Sequence, residues 1–387
     1  MRRLRNLPRR RVYAVIAAVA ALAVTGGIAQ AALQGSDPKP PPKSLGSAVL
    51  DALRAPKPEG ITARIHFTNN LLPAGTLPAG ATSPLASGAD GRLWMSEDGR
   101  FRIELTTGAG KAEVASDGKQ LTVYDATSNT LYSLPAPASL RGGAKGGGQF
   151  PLQGLQNGFG GLLRYFSVSA AKPSSTAGQP TYTVRIAPRD DGGLLGAAEV
   201  AWDAAHGVPL RLSVYAQGDS DPAIELKATS VDYGPVPDSQ VGPTPHPGAH
   251  QVRVNANDLG VHGRATNVTG VEAVKRHLDF PLAAPAEIAG LERGQVRLLE
   301  SDAGKGALSV YGEGLGSIFV FQAKTGARPL LDRDKLPLPQ VNIDGQTGTE
   351  LATPLGTIVT FERDGVSYIV AGLVPPVAAE NAARDLR

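Results

Sequence analysis

The stretch from Arg92 to Asp125, RLWMSEDGRFRIELTTGAGKAEVASDGKQLTVYD, decides the fold class. Asp98-Gly99 and Asp117-Gly118 fall between the apolar runs at 92–95, 101–105, 111–115 and 120–125, and such pairs tolerate the positive φ that a tight hairpin turn demands. The runs therefore form an antiparallel meander, extended by a fifth at 130–134. Asp90-Gly91, just ahead of the first run, reads as one more turn. Upstream, Ile61, Ala63, Ile65 and Phe67 alternate with Thr62, Arg64, His66 and Thr68, the period-two signature of a sheet with one wet face. Strand patterns resume at 181–187, 197–203, 210–216 and 223–233. With no helix between most of these strands, antiparallel pairing is expected throughout.

Two helical patterns accompany the strands. After Ser44, Leu45, Val49, Ala52 and Leu53 fall on one face and Pro56 ends the helix. Beyond the glycine-rich loop at 141–148, Leu152, Leu155, Phe159, Leu162, Leu163 and Phe166 recur at helical spacing. Gly154, Gly158, Gly160 and Gly161 weaken that helix by roughly 1 kcal/mol each relative to alanine, so it reads as an apolar lid on a hinge. A second α+β region opens with a helix at 271–278 and continues with strands at 296–300, 307–311, 317–322, 356–362 and 366–371. Asp364-Gly365 joins the last two, and a helix at 377–386 closes the chain.

The N-terminus addresses the protein outside the cytoplasm. Six arginines and no acid occupy the first eleven residues, and an apolar run from Val12 to Leu33 follows, broken only by Thr25, Gly26, Gly27 and Gln30. Ala29-Gln30-Ala31 offers a cleavage site, yet the run is nearly long enough to span a membrane uncut, so residues 1–33 are a signal peptide or a signal anchor. The sequence pI near 9.0 belongs to this segment, since losing six of 38 basic residues leaves 32 against 35 acidic. That balance offers no basic footprint for nucleic acid. The absence of cysteine excludes disulfides, thiolate metal sites, a cysteine nucleophile and lipobox acylation. Residues 34–43, with four prolines at Pro38, Pro40, Pro41 and Pro42, read as a stiff spacer too polar to pack. The proline-rich stretch 238–250 reads as a solvated linker between a domain at 44–237 and a smaller one at 251–387.

No catalytic constellation assembles. His66, His206, His246, His250, His262 and His277 are scattered, and Pro247-Gly248 denies His246 and His250 a shared helix face for a metal. Gly312, Gly314 and Gly316 alternate as in a turn, Arg189-Asp190-Asp191 precedes Gly192-Gly193 as a charged turn, and no G-x-S-x-G or Walker loop occurs. The expectation is a protein that is no enzyme and carries neither cofactor nor metal.

Taken in order, the helix after Ser44, the strand at 60–68, Trp94-Met95, the run Ala115-Ser116-Asp117-Gly118-Lys119-Gln120-Leu121-Thr122-Val123-Tyr124-Asp125, Thr130-Leu131-Tyr132, Val200-Ala201-Trp202-Asp203 and Val208-Pro209-Leu210 resemble the lipoprotein carrier (LolA-like) proteins of the bacterial envelope. The resemblance covers about residues 44–237. It implies an α+β fold, a curved antiparallel half-barrel sheet with helices across its concave face. It also implies an apolar concavity lined by Ile65, Phe67, Met95, Ile103, Leu105, Leu121, Val123 and Trp202, beneath Phe159 and Leu163 of the lid. The same fold serves two-domain periplasmic regulators that bind an anti-sigma factor. The C-terminal part, through His277-Leu278-Asp279-Phe280-Pro281-Leu282 and Gly365-Val366-Ser367-Tyr368, is similar to a small domain of exported Gram-positive proteins. The expected function is extracytoplasmic binding of a lipid or an acylated lipoprotein. The alternative is a membrane-anchored sensor or regulator that binds an envelope protein partner.

Overall fold

In the computed structural model, which describes residues 37–72, 83–108, 110–136, 165–189, 193–253, 264–301, 304–325 and 338–387, the hairpin turns dictate strand pairing. The first sheet contains β1 (Gly60–Asn69), β2 (Ala89–Ser96), β3 (Phe101–Thr107), β4 (Gly110–Ser116), β5 (Gln120–Asp125), β6 (Thr130–Pro135), β7 (Phe166–Val168), β8 (Lys172–Thr176), β9 (Gln179–Pro188), β10 (Leu195–Asp203), β11 (Pro209–Ala216), β12 (Pro222–Tyr233) and β13 (His250–Arg253). Their order is β13-β6-β5-β4-β3-β2-β1-β12-β11-β10-β9-β7, with β8 also on β9. All pairs are antiparallel except β13 on β6, reached by a long connection rather than a hairpin. Gly99 and Gly118 adopt φ of 83° and 81° in the expected turns.

Asp90-Gly91 is not a turn. Both residues lie inside β2, opposite Thr106 and Leu105 of β3. A Cβ on Gly91 would lie 2.2 Å from the Glu104 carbonyl oxygen, so this glycine serves close backbone approach between strands.

The second sheet comprises β14 (Arg264–Thr269), β15 (Glu287–Ile288), β16 (Leu291–Ser301), β17 (Gly304–Tyr311), β18 (Ile318–Lys324), β19 (Gln340–Ile343), β20 (Gln346–Thr353), β21 (Gly356–Arg363) and β22 (Val366–Gly372). The order is β14-β16-β17-β18-β22-β21-β20-β19, with β15 on β16. Neither sheet closes on itself. The architecture is thus mostly antiparallel sheet with few helices.

The helix Leu45–Arg54 is capped by the Ser44 hydroxyl, which accepts from the Ser47 amide at 3.2 Å. Ala48, with Leu45, Val49 and Ala52, packs on Tyr182, Val184 and Trp202. Leu53, expected on that face, is 48 % exposed, because at about 100° per residue it sits roughly a quarter-turn from the centre of the stripe. The spacer before this helix does pack: Pro40 is buried, and the Tyr182 hydroxyl donates to the Pro41 carbonyl at 2.7 Å. Residues 1–36, with the expected export segment, lie outside the described residues, among which no helix is long and apolar enough to cross a membrane.

Replacing Gly91 with alanine is expected to cost roughly 1–3 kcal/mol in urea unfolding, the usual range for overpacking. An unchanged unfolding midpoint would show that β2 and β3 do not approach this closely.

Candidate functional site

Cross-strand partners share a face of a sheet. One row of the first sheet runs Ala63, Leu93, Ile103, Val114, Val123 and Tyr132 across β1–β6. The flanking rows carry Ile61, Met95, Phe101 and Leu121 on one side, and Ile65, Leu105 and Ala112 on the other. Beyond β1, Phe67 faces Leu226, then Leu212, Val200 and Val184. Ile65, Phe67, Met95, Ile103, Leu105, Leu121 and Val123 therefore stand together in one cluster, each 1–5 % exposed. Trp202 shares the face but packs in the neighbouring cluster, its ring 6.2 Å from that of Tyr182. Phe159 and Leu163 lie outside the described residues. Of the helix expected at 152–166, Phe166 is instead the first residue of β7, because it pairs with Pro188 of β9.

A four-residue helical turn, Pro84–Ser87, meets this face. Leu85 is fully buried in the same cluster, while the Asn69 side-chain amide holds its carbonyl at 2.7 Å. Leu85 was not among the expected site residues. Its signal was present: Ser83-Pro84 is an N-cap followed by the proline favoured at a first helical position.

On the sheet's other face the proline-rich stretch is packed rather than solvated. Arg100 holds Asp238 at 2.7 Å, and Arg102 donates to the Gly242 carbonyl at 2.9 Å. Glu113 accepts from the Thr244 amide at 3.0 Å and from its hydroxyl at 2.5 Å. The His246 ring stacks on Tyr124 with centroids 3.6 Å apart. Prolines leave few amides to satisfy, so side chains of the sheet can hold the strap, Arg102 through carbonyls, Glu113 through the Thr244 amide and hydroxyl and Arg100 through the Asp238 side chain, until β13 joins the sheet. Among the described residues no group of three or more His, Asp or Glu is placed to hold a metal.

One buried polar knot lies at the end of β10. Asp203 accepts from the Ala205 amide at 2.8 Å, the His206 amide at 3.1 Å and the Tyr233 hydroxyl at 2.7 Å, with His206 Nδ1 3.0 Å away. Burial, then the Asp203 charge, pushes the Tyr233 hydroxyl far above its ordinary pKa. Asp203 and His206 are each 1 % exposed, which closes the knot to any substrate. It shapes the turn that seats Gly207 (φ 67°), where a Cβ would lie 2.4 Å from the Ala52 carbonyl oxygen.

The second sheet carries a groove of about 560 Å³ that the sequence reading missed. Its floor is Leu282, Ala283, Val366, Tyr368 and Leu386, and its rim is Asp344, Arg363, Asp364 and Arg387. The hairpins Asp344-Gly345 and Asp364-Gly365, all at positive φ, bring the two aspartates to one end of the sheet. Buried Gln322 pins the floor, accepting from the Ala283 amide at 2.9 Å and donating to its carbonyl at 2.6 Å. Arg363 donates to the Leu386 and Ile343 carbonyls, and Arg387 pairs with Asp344 at 3.0 Å. Burial raises the Tyr368 pKa. Behind the groove, the helix Pro376–Arg384 presses Ala379, Ala382 and Ala383 flat against the sheet. Glu350 lies beneath it with Oε2 lacking a partner, and burial, then the nearby Glu380 carboxylate, raises its pKa.

Residues 81–145 match the family described as "Predicted periplasmic protein (DUF2092)", which supports an extracytoplasmic location. No curated protein matches the sequence. Among solved structures, the Pseudomonas aeruginosa MucA/MucB complex is similar at 16 % identity and TM-score 0.44, over 88 % of this chain and 95 % of that one. An uncharacterized conserved protein from Thermus thermophilus is similar at 13 % identity and TM-score 0.32, over 54 % and 97 %. A putative outer membrane lipoprotein-sorting protein domain from Vibrio parahaemolyticus is similar at 12 % identity and TM-score 0.24, over 51 % and 94 %. At these scores the likenesses carry no assignment of function.

Because the pKa of Glu350 is raised in the folded state, that state binds its proton more tightly than the unfolded chain does. Its contribution therefore turns unfavourable as pH rises past the ordinary carboxylate value, and the full penalty is present above the raised one. Glu350→Gln is expected to raise the melting temperature at pH 7 and to change it little at pH 3.5. Equal effects at both pH values would rule out a proton-linked penalty at this site.

Proposed function

We propose that the protein is an extracytoplasmic binding protein rather than an enzyme, and that the apolar face of its first sheet accepts a lipid or an acyl chain. The observation that carries this reading is the continuity of that face. Apolar rows extend from Tyr132 on β6 through β1 to Val184 on β9, far wider than the ten-residue helix and the single helical turn that the described residues place on it. Each methylene transferred there from water contributes about 0.8 kcal/mol, so a long acyl chain needs no covalent link. Ile65, Phe67, Met95, Ile103, Leu105, Leu121, Val123 and Trp202 are the proposed contacts. All are already buried, so an incoming chain has to displace existing cover, and Leu85 is the smallest described piece of it.

A second reading, a membrane-anchored regulator that binds an envelope protein, is favoured by the groove of the second sheet. An apolar floor ringed by two aspartates and two arginines suits a side chain of a partner better than an acyl tail.

Leu85→Ala discriminates between site and plain core. It is expected to cost about 2–5 kcal/mol, as large-to-small core substitutions do. On the acyl-site reading it also strengthens binding of a fluorescent fatty acid, and native mass spectrometry of the wild-type protein finds one lipid retained. Lost stability, no probe bound by either protein and no retained mass would leave the face as core and remove the lipid reading.

A further inference from the structure

The central strands of the second sheet are apolar on both faces. Ile318-Phe319-Val320-Phe321, Ile358-Val359 and Ile369-Val370-Ala371 run without alternation, whereas an antiparallel sheet with one wet face alternates. One face is the core already described, where Ile318, Val320, Val359 and Val370 are fully buried with the helix Pro376–Arg384 against them. The opposite face carries the rows Val310-Phe319-Ala371-Ile358 and Leu308-Phe321-Ile369. These side chains are half-buried, and Phe319 is 46 % exposed. A contiguous apolar patch of this kind marks a surface meant to be covered.

The charges at its sides say by what. In the order β16-β17-β18-β22-β21, β18 is central. Arg297, opposite Leu308, stands two strands to one side on β16, and its buried Nε has no hydrogen-bond partner. Glu362 stands two strands to the other side on β21, exposed, one row further along. The patch is uncharged at its centre and carries opposite charges two strands away on either side. A single-signed partner would satisfy one of these and oppose the other.

We propose that this face joins two copies of the chain, packed sheet on sheet about a two-fold axis along β18. That axis lays β16 of each copy over β21 of the other, so each Arg297 meets the second copy's Glu362, and the pair forms twice. The offset of one row, about 7 Å, is within reach of an arginine across sheets about 10 Å apart. Phe319 then lies beside its own symmetry mate.

The protein has no cysteine, so single cysteines give a clean test in the full chain. With a short bismaleimide, Phe319→Cys is expected to cross-link to a dimer, while Val377→Cys, 63 % exposed on the helix of the other face, stays monomeric. In the Phe319→Cys background, Arg297→Glu and Glu362→Arg are each expected to weaken dimerisation about tenfold or more, and the double reversal to restore it. Melting temperatures that match at concentrations too low for dimerisation separate lost association from lost folding. A Phe319→Cys protein that stays monomeric, equal cross-linking at Val377→Cys, protection of Phe319→Cys only by lipid vesicles or another protein, or a double reversal no better than the singles would each overturn the proposal.

Discussion

Everything in the first sheet depends on how β1 is held between β2 and β12. It is the seam between the early meander and the late strands, and both partners read it in register over nearly its whole length. Side chains alternate with period two, so a slip of one residue on either side would turn a full set of apolar side chains toward solvent. One irregularity interrupts the seam. Arg64 pairs with Ser230 and Ile65 with Ala228, leaving Thr229 as an extra residue on β12. The bulge lets Val231 and Ala228, an odd step apart, both join the buried cluster. Gly91 lies opposite Ile65 on β2, and the space its missing Cβ leaves is taken by the Glu104 backbone of β3.

Much of this was legible in the sequence because it depends on local pattern. The alternation at 61–68 gave the buried face of β1, and β5 has the same limits in the structure as in the pattern, Gln120–Asp125. The eight described site residues were expected as the inward positions of the fold that the chain resembles, and parity on their strands is what brings them to one face. Where they stand is a matter of geometry, however, and what they bind is not. Residues that line an acyl cavity and residues that fill a core obey the same alternation, so the pattern alone cannot separate the two roles.

What escaped the sequence has two kinds of cause. Asp90-Gly91 has the composition of a turn, yet its glycine answers to a neighbouring backbone, a contact with a residue fourteen positions from Asp90 that no local window contains. The proline-rich strap escaped for a related reason. Its composition says that it forms no ladder of its own, which is true, but the bonds that fix it come from Arg100, Arg102 and Glu113, more than a hundred residues upstream. Short, polar strands such as β19 and β20 carry little periodic signal. The groove lay partly hidden with them, since Asp344 of its rim belongs to the turn that joins them.

The two sheets solve the same covering problem in different ways, and the difference bears on function. The first keeps a polar back, with Arg64, His66 and Thr68 facing away from the core, and secures part of it with a strap held by side chains of the sheet. Such a back can face water indefinitely, which leaves only the apolar front to be covered. The second is apolar front and back at its central strands, and its described helices cover one side only. Water against Phe319 and its neighbours carries a free-energy cost that grows with area, at about 25 cal/mol per Å². A chain that places hydrophobic side chains at successive positions of β18 and β22, instead of alternating them with polar ones, accepts that cost in the isolated molecule. On the proposed readings, a ligand of the first sheet has to come between its apolar front and the cover already on it, whereas a partner of the second meets a face that its described helices leave open.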